Sequence, residues 1–136
     1  MKSIEKEKTL TEILKSISKV DGYTCYIYSS AQWEGETHSD SLWGYITTPS
    51  NNILYIEFGF GGGWKFSLTY KPSRGNGSGC QCLTNAVDLV TIETVQQAEI
   101  EGIRFASTFR PRPVFYKSFE EFRKGYFKSE KLVQIT

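Results

Sequence analysis

Cysteine is scarce in this sequence, histidine nearly absent and long apolar runs missing, and each shortage removes a class of answers. The cysteines Cys25, Cys80 and Cys82 are odd in number, and Cys80 and Cys82 lie too close in the chain for an unstrained disulfide. A disulfide framework is therefore not expected. A zinc site would have to join the single histidine, His38, to cysteines that lack paired CxxC spacing, so no metal and no cofactor are expected. No stretch approaches the ~18 apolar residues of a membrane span. The opening Met1-Lys2-Ser3-Ile4-Glu5-Lys6-Glu7-Lys8 breaks the apolar core a signal peptide needs, so a cytoplasmic protein without membrane association is expected. A net charge of +1 excludes the overall basicity of a polybasic nucleic-acid binder.

Aromatic residues are plentiful. They make up 15% of 136 residues, enough to favour strands and a ring-rich core in one domain spanning residues 1–136. Leu10, Ile13, Leu14, Ile17 and Val20 recur at helical spacing, and Thr9 with Glu12 has capping-box spacing, which predicts an amphipathic helix from about Leu10 to Asp21-Gly22. Residues 23–28, 41–48, 53–60 and 64–71 are short aromatic and β-branched runs separated by turn residues, and read as an antiparallel meander. In the last run Trp64, Phe66, Leu68 and Tyr70 alternate with Lys65, Ser67, Thr69 and Lys71, the pattern of one covered and one wet face. The second run is two-valued, because Leu42, Gly44 and Ile46 compete with Trp43, Tyr45 and Thr47 for the core.

Thr94 with Gln97 predicts a further helix toward Phe105, weakened by Gly102. Arg110-Pro111-Arg112-Pro113 predicts an extended connector. Ser118 with Glu121 caps a last helix carrying Phe119, Phe122 and Tyr126, and residues 131–135 read as an edge strand. The expected fold is α+β, an antiparallel four- to five-stranded meander covered on one face by the N- and C-terminal helices.

No catalytic constellation emerges. The glycine-rich stretches at 61–63 and 74–80 match neither GxxxxGK[ST] nor GxGxxG. His38 has no partner of the required type nearby in sequence, and Leu83-Thr84-Asn85 is a weak helix opening for activating Cys80, so the chain is read as a non-enzyme. Charge is distributed unevenly. From Asp21 to Phe60 the carboxylates of Asp21, Glu34, Glu36, Asp40 and Glu57 meet no Lys or Arg, whereas residues 104–131 are predominantly basic. An acidic aromatic sheet face suits a basic protein partner, with rings as anchors and carboxylates steering. The candidate contacts are Trp33, Glu34, Glu36, Asp40, Trp43, Tyr45 and Tyr55. The alternative is single-stranded nucleic-acid or phosphate-backbone binding through Arg74, Arg110, Arg112, Arg123 and Lys124. A third reading is a small-molecule or enzyme pocket near Cys80 and His38.

Tyr70-Lys71-Pro72-Ser73-Arg74 followed by Gly77-Ser78-Gly79-Cys80 resembles a segment of small accessory proteins of bacterial phages and conjugative elements. The resemblance spans only this segment and implies no activity. It implies an accessory protein of a mobile element that binds host or defence machinery.

Overall fold

The computed structural model describes residues 3–28, 42–58, 66–70, 73–74, 82–83, 89–108, 114–125 and 132–135. In chain order the elements are α1 (Ser3–Ser18), β1 (Thr24–Tyr28), β2 (Leu42–Thr47), β3 (Ile53–Phe58), β4 (Phe66–Tyr70), β5 (Ser73–Arg74), β6 (Cys82–Leu83), α2 (Ile92–Ala106), β7 (Val114–Phe115), α3 (Phe119–Gly125) and β8 (Leu132–Gln134). The fold is α+β with an antiparallel sheet. Strands β1 to β4 form the expected meander, β6 and β8 extend it at either side in the order β6-β4-β3-β2-β1-β8, and β5 pairs with β7 separately.

Helix α1 begins at Ser3, earlier than the capping-box spacing predicts. Residues 5–8 are Glu and Lys, good helix formers, and Glu5 and Glu7 lie where negative charge favours a helix start, so Thr9 falls inside the helix. In α2 the N-cap is Thr91, and Thr94 is its third residue: the two threonines close a reciprocal capping box. The Ser118 cap of α3 is as expected, with the Glu121 N–H donating to Ser118 Oγ at 3.2 Å.

The expected placement of the helices needs one correction. The N-terminal helix covers one face, joined there by α2, while the C-terminal helix α3 packs on the other. Leu10, Ile13, Leu14 and Ile17 of α1 and Val95 and Ala98 of α2 bury against Cys25, Ile27, Ile46, Leu54, Ile56, Phe66 and Leu68. Phe119 and Phe122 of α3 bury against Tyr26, Tyr28, Tyr45, Ile53 and Leu132. The reason is strand alternation: β1 places Cys25 and Ile27 on one face and Tyr26 on the other, so both faces carry apolar side chains and each takes a helix.

Gly102, which argued against helix in the sequence, sits where α2 packs closely on Tyr70 of β4. A Cβ there would lie 2.3 Å from Tyr70 Cβ. Next to this contact a polar network ties α2 to the β2–β3 turn. Glu99 Oε2 accepts from Thr48 Oγ1 at 2.6 Å and from Asn52 Nδ2 at 2.7 Å, and the Tyr70 hydroxyl donates to Asn52 Oδ1 at 2.9 Å. Burial, reinforced by the Glu99 charge, pushes the Tyr70 hydroxyl pKa up.

Burial also pushes the Cys25 thiol from 9.0 up to about 12. Between those values the folded chain keeps a proton that the unfolded chain releases, so the contribution is complete below pH 9 and is lost as pH rises toward 12. Urea midpoints are expected to fall by the equivalent of about 1 kcal/mol more between pH 9 and 10 in the wild type than in Cys25→Ala. Equal slopes in the two proteins would refute the assignment. Tyr26 and Tyr70, also raised by burial, add to the decline above pH 10.

Candidate functional site

The face under α3 holds a continuous set of rings. Tyr45 and Tyr55 stand directly opposite each other across β2 and β3, as do Trp43 and Glu57, which places all four on one face. Tyr45 is at the centre. Its ring centroid lies 5.0 Å from Phe122, 5.5 Å from Tyr55 and 5.9 Å from both Trp43 and Phe119. Tyr26 stacks on Phe119 at 4.0 Å with planes 11° apart, and Tyr28 meets Trp43 at 4.4 Å.

Exposure divides this set. Tyr45 is only 2% exposed, a correction to its expected role as a contact: Phe119 and Phe122 cover it. Trp43, Tyr55 and Glu57 are half-buried and form a strip along β2 and β3. The Tyr55 hydroxyl donates to Glu57 Oε2 at 3.0 Å, so the carboxylate is held beside the ring edge. The two-valued pattern of β2 is thereby resolved. Ile46 faces α1 and α2, and the aromatic set faces α3.

The other candidates separate. Trp33, Glu34, Glu36 and Asp40 lie outside the described residues, as do Arg110, Arg112, His38 and Cys80. Arg74 belongs to β5, where its backbone is opposite Val114 of β7. Lys124 is exposed. Arg123 is half-buried and already engaged: its Nη2 donates to the Leu132 carbonyl at 3.0 Å and its guanidinium carbon lies 5.8 Å from the Tyr26 ring centroid. The sequence reading grouped it with phosphate contacts, whereas the structure makes it a tie between α3 and β8.

Glu57 and the Glu99–Thr48–Asn52 network were not singled out from the sequence. The alternation of β3 contained the signal for Glu57. Nothing local to residue 99 signals a partner at residue 48. Among the described residues no group of three or more His, Cys, Asp or Glu side chains is placed to hold a metal ion, and no helix is long and apolar enough to cross a membrane. No protein-family model, curated protein or solved structure matches the chain.

Proposed function

We propose that the chain is a non-enzymatic macromolecule-binding protein that docks a protein partner on the strip formed by Trp43, Tyr55 and Glu57. The observation that carries this reading is the half-buried state of Trp43 and Tyr55 on a floor of buried rings, beside a carboxylate held by Tyr55. Rings fixed by packing lose little freedom on binding, and a carboxylate at their edge selects a partner bearing Lys or Arg. The acidic run that includes Glu34, Glu36 and Asp40 extends the same preference in the sequence. The resemblance of the Tyr70–Arg74 and Gly77–Cys80 segments to accessory proteins of mobile elements supports a host or defence protein as that partner. The nucleic-acid alternative is weakened by the engagement of Arg123.

The test is affinity capture of the partner with purified wild-type protein, followed by titration of variants. Trp43→Ala is expected to weaken binding by roughly 30-fold or more, as for an aromatic anchor at an interface. Because Trp43 also packs on Tyr28, Glu57→Gln is measured alongside; it is expected to slow association and to reduce its salt dependence while leaving thermal stability close to wild type. Unchanged affinity in both variants, or binding of single-stranded oligonucleotide in place of a protein, would overturn the proposal.

A further inference from the structure

Strand order decides what flanks Trp43. Because β2 runs between β1 and β3, the indole has Tyr28 on one side and Glu57, its directly opposite residue on β3, on the other. Tyr28 lies against one face, with ring centroids 4.4 Å apart and planes 30° apart. The other face turns toward β3, where Tyr55 stands 5.9 Å away with its ring tilted by 37° and so does not lie flat upon it. The carboxylate there is oriented but not neutralised. Glu57 Oε2 accepts from Tyr55, while Oε1 has no hydrogen-bond partner and no Lys or Arg pairs with the group among the described residues.

We infer that Trp43 and Glu57 together form a guanidinium site, which takes an arginine of the partner in preference to a lysine. The inference rests on the docking strip proposed above and names the side chain that strip receives. Directly opposite side chains on neighbouring strands start about 4.5–5.5 Å apart at Cβ, so a group stacked on the indole is within reach of the carboxylate. A planar cation meets both at once. A guanidinium lies flat on a ring and keeps its N–H donors in its own plane, free to bond sideways to the carboxylate, whereas the tetrahedral donors of an ammonium cannot all avoid the ring. Arginine is also the more weakly hydrated ion, which lowers the cost of moving it against a half-buried ring.

The same face already holds one guanidinium in this way. The Arg123 guanidinium carbon lies 5.8 Å from the centroid of the Tyr26 ring while its Nη2 donates to the Leu132 carbonyl at 3.0 Å. A ring and an oxygen acceptor are thus met together by an arginine of the chain itself. At Trp43 and Glu57 the ring is an indole, the best aromatic partner for a cation, and the acceptor is a carboxylate, so the bond gains the charge assistance that the Leu132 carbonyl lacks. Among the described residues no arginine of the chain occupies this second position.

Nuclear magnetic resonance of the full chain tests this with N-acetyl-arginine amide and N-acetyl-lysine amide as probes, each titrated to about 50 mM, a range that covers the weak binding of a single residue. The Trp43 indole N–H signal is identified by its nuclear Overhauser contacts with the Tyr28 ring. In the wild type the arginine probe is expected to shift that signal and to bind roughly threefold more tightly than the lysine probe, or better. Glu57→Gln is expected to weaken the arginine probe by roughly threefold. Equal affinities of the two probes, an arginine affinity that Glu57→Gln leaves unchanged, or no shift at Trp43 would overturn the inference. The wild-type comparison needs no variant, so if Glu57→Gln did not fold, the arginine-to-lysine ratio would decide. A captured protein partner whose binding depends on Trp43 but accepts lysine in place of arginine keeps the docking strip and removes the guanidinium site. Arginine-selective probe binding without any captured protein does the reverse.

Discussion

Phe122→Ala is expected to destabilise the protein by about 3–5 kcal/mol, a large part of the ~5–15 kcal/mol that holds a typical domain together. Phe122 is 2% exposed, and its ring lies 5.0 Å from Tyr45, 5.3 Å from Phe119 and 5.5 Å from Tyr116. Truncation removes the apolar contact and leaves a void among rings that cannot close over it, because Tyr45 is fixed in β2 and Phe119 is stacked on Tyr26. Urea denaturation should show a lower midpoint with an unchanged slope if unfolding remains two-state. A loss below about 1 kcal/mol would mean that α3 does not seal the aromatic face, since that is the scale of substitutions away from packed sites. The docking strip would suffer as well, because the floor beneath Trp43 and Tyr55 includes Tyr45.

Gly44→Ala is the second large effect. Gly44 is buried in β2, opposite Ile27 of β1 and Ile56 of β3. A Cβ at this position would come within 2.2 Å of the Tyr26 carbonyl oxygen and 3.3 Å of Ile27 Cα. Both are backbone atoms, so no rotamer change relieves the contact and β1 must move relative to β2. Overpacking of this kind is expected to cost about 3 kcal/mol or to prevent folding. Thermal unfolding of the purified variant measures it, and a melting temperature within a degree or two of wild type would show that the strands can separate freely there. The displacement would also reach β8, which pairs with β1.

Several elements were legible in the sequence because their causes are local. The alternation of Phe66, Leu68 and Tyr70 with Ser67 and Thr69 identified β4, and the helical stripe from Leu10 to Ile17 identified α1. Ser118 announced α3 through a bond that spans three residues. The wet side assigned to β4 was not legible: Ser67 and Thr69 are buried polar residues, 2% and 6% exposed. The strip of Trp43 and Tyr55 could be proposed from alternation, but the burial of Tyr45 could not, because the residues that cover it come from a helix more than seventy positions away. Arg123 illustrates the same limit. Its charge suggested an anion, whereas its partner is a carbonyl on the strand that follows its helix.

By itself the sequence located the three helices, the four-stranded meander and the strand at β8, though not the two-residue strands β5, β6 and β7, and showed which side chains share a strand face, since 3.6- and 2-residue periods and caps act over a few residues. Tertiary structure alone decided that α1 and α2 lie on one face with α3 on the other, that Tyr45 is floor and Trp43 rim, and that Arg123 ties α3 to β8. Each of these depends on which of two apolar faces a distant helix covers. Both faces of the meander offer apolar surface, so only the packing of the whole chain distinguishes them.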